Sequence, residues 1–92
     1  MDNQRNETYL NHPSFGMLYR ICAVKENQDI FTTLYAQRLF FVVTSNNKDF
    51  VFEPVSRSEA RSMVEAWMRT LRNQGDYAQA QDIQSIHKRT FQ

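Results

Sequence analysis

The chain has 92 residues and a mass of 10.9 kDa, with 11 Lys+Arg against 10 Asp+Glu, a net charge of +1, one Cys and two Gly. That length holds one small core and leaves no volume for a buried active site beside it. Near-zero charge excludes the field of a non-specific nucleic-acid binder; the lone Cys22 excludes an internal disulfide or a multi-cysteine zinc site; two glycines are too few for a phosphate-cradling loop.

No apolar run approaches the roughly 18 residues of a membrane span. The opening stretch, MDNQRNE, has no apolar segment of the signal-peptide kind. A cytoplasmic protein is the expectation. Composition divides near residue 55. Residues 1–55 hold nine of the twelve aromatics and carry a net charge of −1; residues 56–92 hold three and carry +2. Two units are expected, 1–55 and 56–92.

The first unit reads as β. Gly16 to Val24 is rich in strand formers, bounded by Gly and by the polar run Lys25 to Asp29. Ile30 to Tyr35 is a second strand. Leu39 to Thr44 is apolar almost throughout, which predicts a strand covered on both faces. Asn46-Asn47 supply a turn, since Asn tolerates positive φ. Asp49 to Glu53 is a fourth strand, with Phe50 and Phe52 on one face, and Pro54 is expected to end it because it cannot donate to the ladder. Short strands joined by short turns suggest a small, strongly bent antiparallel sheet or barrel.

The second unit reads as two helices, about 57–73 and 76–90. Ser56 and Glu59 form a capping box. Ala60, Met63, Val64, Trp67 and Leu71 then repeat at helical spacing. Gly75-Asp76 breaks the pattern, and Tyr77, Ala80, Ile83, Ile86 or His87, and Phe91 make a second, weaker stripe. So short a connection implies an antiparallel hairpin. Two short helices bury little alone, so the hairpin must lean on the sheet, on itself or on a partner.

No catalytic constellation stands out. Cys22, between Ile21 and Ala23 in mid-strand, reads as a small buried hydrophobe. His12, between Asn11 and Pro13, reads as a turn histidine bonded to a neighbour. His87 sits where a cation suits the helix dipole. No carboxylate pair is evident, and an enzyme is not expected. Arg57, Arg61, Arg69 and Arg72 alternate with Glu59 and Glu65, which reads as a solvated helix face; a small barrel that binds RNA through aromatic stacking is the rival. Against it, the aromatic half of the chain lacks a basic groove.

The most unusual stretch is Leu34 to Phe41. Two strand-like segments joined by Ala-Gln-Arg would bring Tyr35, Gln37 and Arg38 together, and Tyr and Arg are enriched at interface hot spots. Leu39 or Phe41 would add an apolar anchor if exposed; the alternative places Tyr35 and Phe41 in the core.

The run YLNHPSFG from Tyr9 to Gly16, then Leu18-Tyr19 and Ile21-Cys22, then TLYAQRLFF from Thr33 to Phe41, resembles the PII-interacting protein X family of cyanobacterial nitrogen-signalling coactivators. Phe52-Glu53-Pro54, Arg57 and Glu59-Ala60-Arg61 carry the resemblance into the first helix. The second helix matches more loosely, ending in Lys88-Arg89-Thr90-Phe91. The resemblance implies a Tudor-like, five-stranded bent antiparallel β-domain followed by a two-helix hairpin. It implies an adaptor that needs no cofactor. At low 2-oxoglutarate such a protein is held by the PII trimer, up to three copies bound; at high 2-oxoglutarate it joins the dimer of the transcription factor NtcA, two copies bound. DNA contact would be NtcA's, and the hairpin would be able to face RNA polymerase. One shared surface would make the partners mutually exclusive. The matching positions are Glu7, Tyr9, His12, Glu26, Tyr35, Gln37, Arg38, Leu39 and Phe41, with Arg57 and Arg72 on the helix side. Tyr35 would be the shared anchor, Arg38 a planar fork for carboxylates or carbonyls, and Glu7 and Glu26 partners for cations. Ala23 to Asp29 departs from the family pattern in lacking a glycine.

Overall fold

The computed structural model describes residues 8–34, 39–47 and 49–92. Five strands, β1 (Tyr9–His12), β2 (Gly16–Lys25), β3 (Gln28–Thr33), β4 (Phe40–Asn46) and β5 (Asp49–Val55), precede two helices, α1 (Arg57–Asn73) and α2 (Tyr77–Phe91). The strands form one antiparallel sheet in sequence order, β1-β2-β3-β4-β5, curled into a half-barrel. A register shift between Arg20 and Cys22 on β2 supplies an irregularity of the kind that bends a sheet.

The hairpin turns follow from local chemistry. Asn47 takes a φ of 54° in the β4–β5 turn, as an Asn there can. Pro13 fixes φ early in the β1–β2 turn, and Gly16 closes it at a φ of 77°.

Alternation along each strand sends side chains to two cores. On one face Ile21, Cys22, Val24, Ile30, Phe40 and Val42 pack with Ala60, Val64, Met68 and Leu71 of α1 and Ala80, Ile83 and Phe91 of α2. On the other face Leu18, Phe31, Phe41 and Val43 form a second cluster, flanked by Leu10 and Phe52. β4 is therefore covered on both faces, as its apolar run predicts. The hairpin leans both on the sheet and on itself.

The helix ends match their caps. Ser56 Oγ accepts from the Glu59 N–H at 3.0 Å while Glu59 Oε1 accepts from the Ser56 N–H at 2.7 Å. At the C-terminus of α1 the Gly75 N–H reaches the Arg72 carbonyl at 3.0 Å and the Asp76 N–H reaches the Leu71 carbonyl at 2.9 Å. That pair is the Schellman pattern, with Gly75 at the positive φ of 84° that it requires. Asp76 then caps α2 by accepting from the Gln79 N–H at 3.2 Å.

Four expectations need correction. Pro54 does not end its strand: it pairs with Phe41 and β5 runs to Val55, because β5 is an edge strand and an outward-facing position needs no N–H. β3 ends at Thr33 rather than Tyr35, and Tyr35 lies outside the described residues. Met68 joins the α1 core, while Met63 and Trp67 are only partly buried. Tyr77 stays 68% exposed, since the first residue of α2 lies beyond the sheet-facing turns. No described helix is long and apolar enough to cross a membrane.

Candidate functional site

Antiparallel register sorts the turns into two ends. Leu18 lies opposite Thr33, and the Leu34 N–H donates to the Met17 carbonyl at 3.0 Å. The β1–β2 turn, Leu34, Leu39 and the β5–α1 junction thus share one end of the sheet. The β2–β3 and β4–β5 turns share the other.

At the first end the site is built on aromatic rings. His12 faces Phe15 at 5.0 Å, Phe41 at 5.3 Å and Phe52 at 5.2 Å between centroids, and Phe15 also meets Phe41 at 5.5 Å. β1 and β5 are the two edges of the sheet and share no ladder. His12 and Phe52 therefore close the mouth of the half-barrel by side chains alone. His12 Nδ1 accepts from the Ser14 N–H at 3.0 Å and the Phe15 N–H at 3.2 Å, as its position before Pro13 suggests. Phe15 itself remains 49% exposed.

Leu39 stands at the same end, 43% exposed. Its carbonyl accepts from the Thr33 N–H at 3.2 Å and from Thr32 Oγ1 at 2.8 Å, which anchors the chain where β4 begins. Thr33 Oγ1 is buried there with no hydrogen-bond partner among the described residues. Tyr9, opposite Tyr19 on β1, is 53% exposed. Glu7, Tyr35, Gln37 and Arg38 lie outside the described residues.

Four candidates sit differently from the rest. Phe41 is buried and cannot be the exposed anchor; it is the floor on which Phe15 and His12 stand. Its strand alternates between two covered faces, so neither orientation would expose it. Glu26 is exposed in the β2–β3 turn, at the far end of the sheet, roughly 25 Å from Leu18 at the strand rise. Arg57 and Arg72 are exposed but engaged. Arg57 Nη2 donates to the Thr90 carbonyl at 3.3 Å with its Cζ 5.8 Å from the Phe91 ring, and Arg72 Nη2 donates to Gln84 Oε1 at 3.2 Å. Each ties α1 to α2.

Several other charged groups are matched within the chain. On the face with the aromatic site, Arg20 Nε and Nη2 reach Asp29 Oδ1 at 3.2 and 3.0 Å. Arg61 Nε pairs with Glu65 Oε2 at 3.3 Å. His87, whose place near the end of α2 suggests only a dipole contact, in fact meets Glu65 Oε2 at 2.9 Å across the hairpin. That hydrogen bond, with help from Arg61, holds the Glu65 carboxyl below its usual range. Burial pushes the Cys22 thiol up to about 12, so it stays an inert core group.

Sequence reasoning missed Phe15. The signal was available: an aromatic between Pro13-Ser14 and Gly16 sits in a tight turn, where the ring has no strand face to enter. Exposed apolar groups gathered at one end of a scaffold, as Phe15 and Leu39 are, are features of a protein-docking surface.

Comparison with protein-family models matches residues 6–91 to PipX, PII-interacting protein X. No curated protein matches the chain.

Proposed function

Because the chain belongs to the PII-interacting protein X family, we propose that it is a non-enzymatic nitrogen-signalling adaptor of the cytoplasm that exchanges the PII trimer for the NtcA dimer as 2-oxoglutarate rises. The family match along residues 6–91 carries this reading. The exposed apolar groups at one end of the sheet, Phe15 and Leu39, with Tyr9 on the adjoining edge strand, support it. In sequence Leu39 directly follows residues 35–38, whose Tyr and Arg have the chemistry of interface anchors.

The mechanism is linkage. A protein that binds only the effector-loaded form of NtcA stabilises that form, and raises the effector's apparent affinity by the same factor. A protein that binds only the low-effector form of PII is released when the effector arrives. One docking surface for both partners makes the two complexes exclusive, and coactivation then follows from release. In this reading residues 1–55 carry the surface, with Glu7, Tyr9, His12, Tyr35, Gln37, Arg38 and Leu39 as contacts and Glu26 as a further one. The hairpin of residues 56–92 is free to meet RNA polymerase.

Co-purification with PII and with NtcA, with and without 2-oxoglutarate and adenine nucleotide, tests the reading. Retention on PII that 2-oxoglutarate abolishes, with the reverse on NtcA, is expected. Retention on neither partner, or retention indifferent to the effector, refutes it. No specific observation favours the RNA-binding alternative: three of its four helix arginines, Arg57, Arg61 and Arg72, have partners within the chain.

A further inference from the structure

We propose that His12 is a positioning residue for docking: its neutral ring pins the turn that presents Phe15, and proton uptake at Nδ1 unpins that turn, so docking weakens in acid. The inference rests on the adaptor reading for what docks, and on the geometry of this chain alone for the latch.

The latch has three parts. The first is the acceptor. His12 Nδ1 takes two backbone N–H groups, from Ser14 at 3.0 Å and from Phe15 at 3.2 Å. A neutral imidazole has one acceptor nitrogen, so its proton must sit on Nε2. The second is the platform. The ring is held between Phe15, Phe41 and Phe52, and Phe41 is buried, so the imidazole cannot swing to offer its other nitrogen. The third is the display. Phe15, whose own N–H is one of the two donors, is half-exposed and rests on Phe41.

A proton added at Nδ1 converts the acceptor into a third donor. Two backbone N–H groups then face an N–H and lose their partner at once. The aromatic faces attract an imidazolium, so the charged ring stays where it is. What gives way is the turn, and Phe15 with it. The sheet is untouched, because β1 keeps its pairing with β2 from Tyr9 to His12.

No other charged group among the described residues governs this site. The elements packed on the ring present Phe41 from β4 and Phe52 from β5. Glu53 follows Phe52 and so points to the opposite face. Arg20 and Asp29, on the same face as His12, are bound to each other. They lie about four residues along β2 from Gly16, roughly 13 Å from the row that holds His12.

The test separates the latch from the docking. In the free protein, the tautomer of His12 and the amide resonances of Ser14 and Phe15 are followed by NMR as the pH is lowered from 8 to 5. Expected are an Nε2–H tautomer at neutral pH and both amides moving in step with the ring. His12→Asn keeps a side-chain oxygen acceptor near the Nδ1 position, as in an Asx turn, but cannot titrate; its amides should stay still. Binding to PII is then measured at pH 7.5 and 5.5 for the natural chain, His12→Asn and Phe15→Ala. The natural chain should lose about fivefold or more relative to His12→Asn on going to pH 5.5, the worth of one or two hydrogen bonds. Phe15→Ala should bind more weakly at both pH values, with little pH dependence beyond that of His12→Asn.

A proton on Nδ1 at neutral pH, or amides that ignore the ring's titration, overturns the latch whatever PII does. Amides that titrate, with PII affinity equal in all three proteins at both pH values, overturn the docking role and leave the latch. Should His12→Asn not fold, the tautomer and the amide titration of the natural chain still decide the point. Failure of the adaptor reading itself appears differently, as no PII binding by the natural chain at any pH.

Discussion

Phe91, the penultimate residue, is only 5% exposed, and it holds α2 to the sheet. Its ring stacks on Phe40 at 5.7 Å with 28° between planes, meets His87 at 5.4 Å, and lies 5.8 Å from the guanidinium carbon of Arg57. It therefore touches β4, α1 and its own helix. Phe91→Ala removes that ring from a core that closes around it. Such truncations cost about 3–5 kcal/mol; the lower figure suits a helix terminus, which can relax. A chain of this length has a total stability of roughly 5–14 kcal/mol, so about 3 kcal/mol is a large share. It should lower the melting midpoint by roughly 12–20 °C, at the few degrees per kcal/mol of small domains. Phe91→Leu, which refills most of the volume, should cost no more than about 1.5 kcal/mol. Urea melts supply the free energies, and amide exchange shows where the loss falls. The α2 amides should exchange far faster in Phe91→Ala while those of β3 and β4 keep most of their protection. A loss below about 1 kcal/mol, or exchange accelerated equally in sheet and helix, would refute the view that this one ring fastens the hairpin.

Four further outcomes are expected. The Glu65 carboxyl is held below its ordinary range by His87 and then Arg61, so its contribution to stability is present above the unfolded carboxylate range and lost as pH falls through the lowered folded value; melts of the natural chain and of Glu65→Gln should converge toward pH 2, and a gap that widens in acid would contradict this. Cys22 is 3% exposed, with a thiol pushed up to about 12; it should resist a thiol reagent at pH 8 in the native state and react at once in denaturant, and rapid native labelling would show that the core opens. Ser56→Ala removes one half of the capping box and should cost about 1 kcal/mol, whereas Ser58→Ala, two residues on, should cost less than half of that; equal losses in paired urea melts would deny the cap its role. For the docking surface, Tyr35→Ala should leave the melt unchanged and weaken PII binding by about 1–2 kcal/mol or more, and calorimetry showing no loss would remove Tyr35 from the surface.

The class and order of most elements were legible in the chain alone, because they depend on neighbours in sequence. The apolar run of β4, the Asn turn after it, the capping box at Ser56 and the break at Gly75 are local statements that packing did not override. β1 was not legible as a residue pattern. It has four residues, half of them exposed in alternation, and it is a strand because β2 offers it an edge. Pro54 misled for the same reason: whether a proline stops a strand depends on whether a neighbour lies on its N–H side, and here none does. The site divides in the same way. Sequence marked His12 as a turn histidine, and its two hydrogen bonds lie within three residues of it. That the same ring would close the half-barrel against Phe52, forty residues away, needed the curl of the whole sheet. Phe41 and Leu39 are two positions apart and both apolar, yet one is buried and the other exposed, since Phe41 sits inside the ladder opposite Phe31 and Leu39 lies just before it. Local chemistry reaches a few residues, and sets turns, caps and periodicity. Which apolar group becomes floor and which becomes surface is settled only when distant strands arrive to cover one of them.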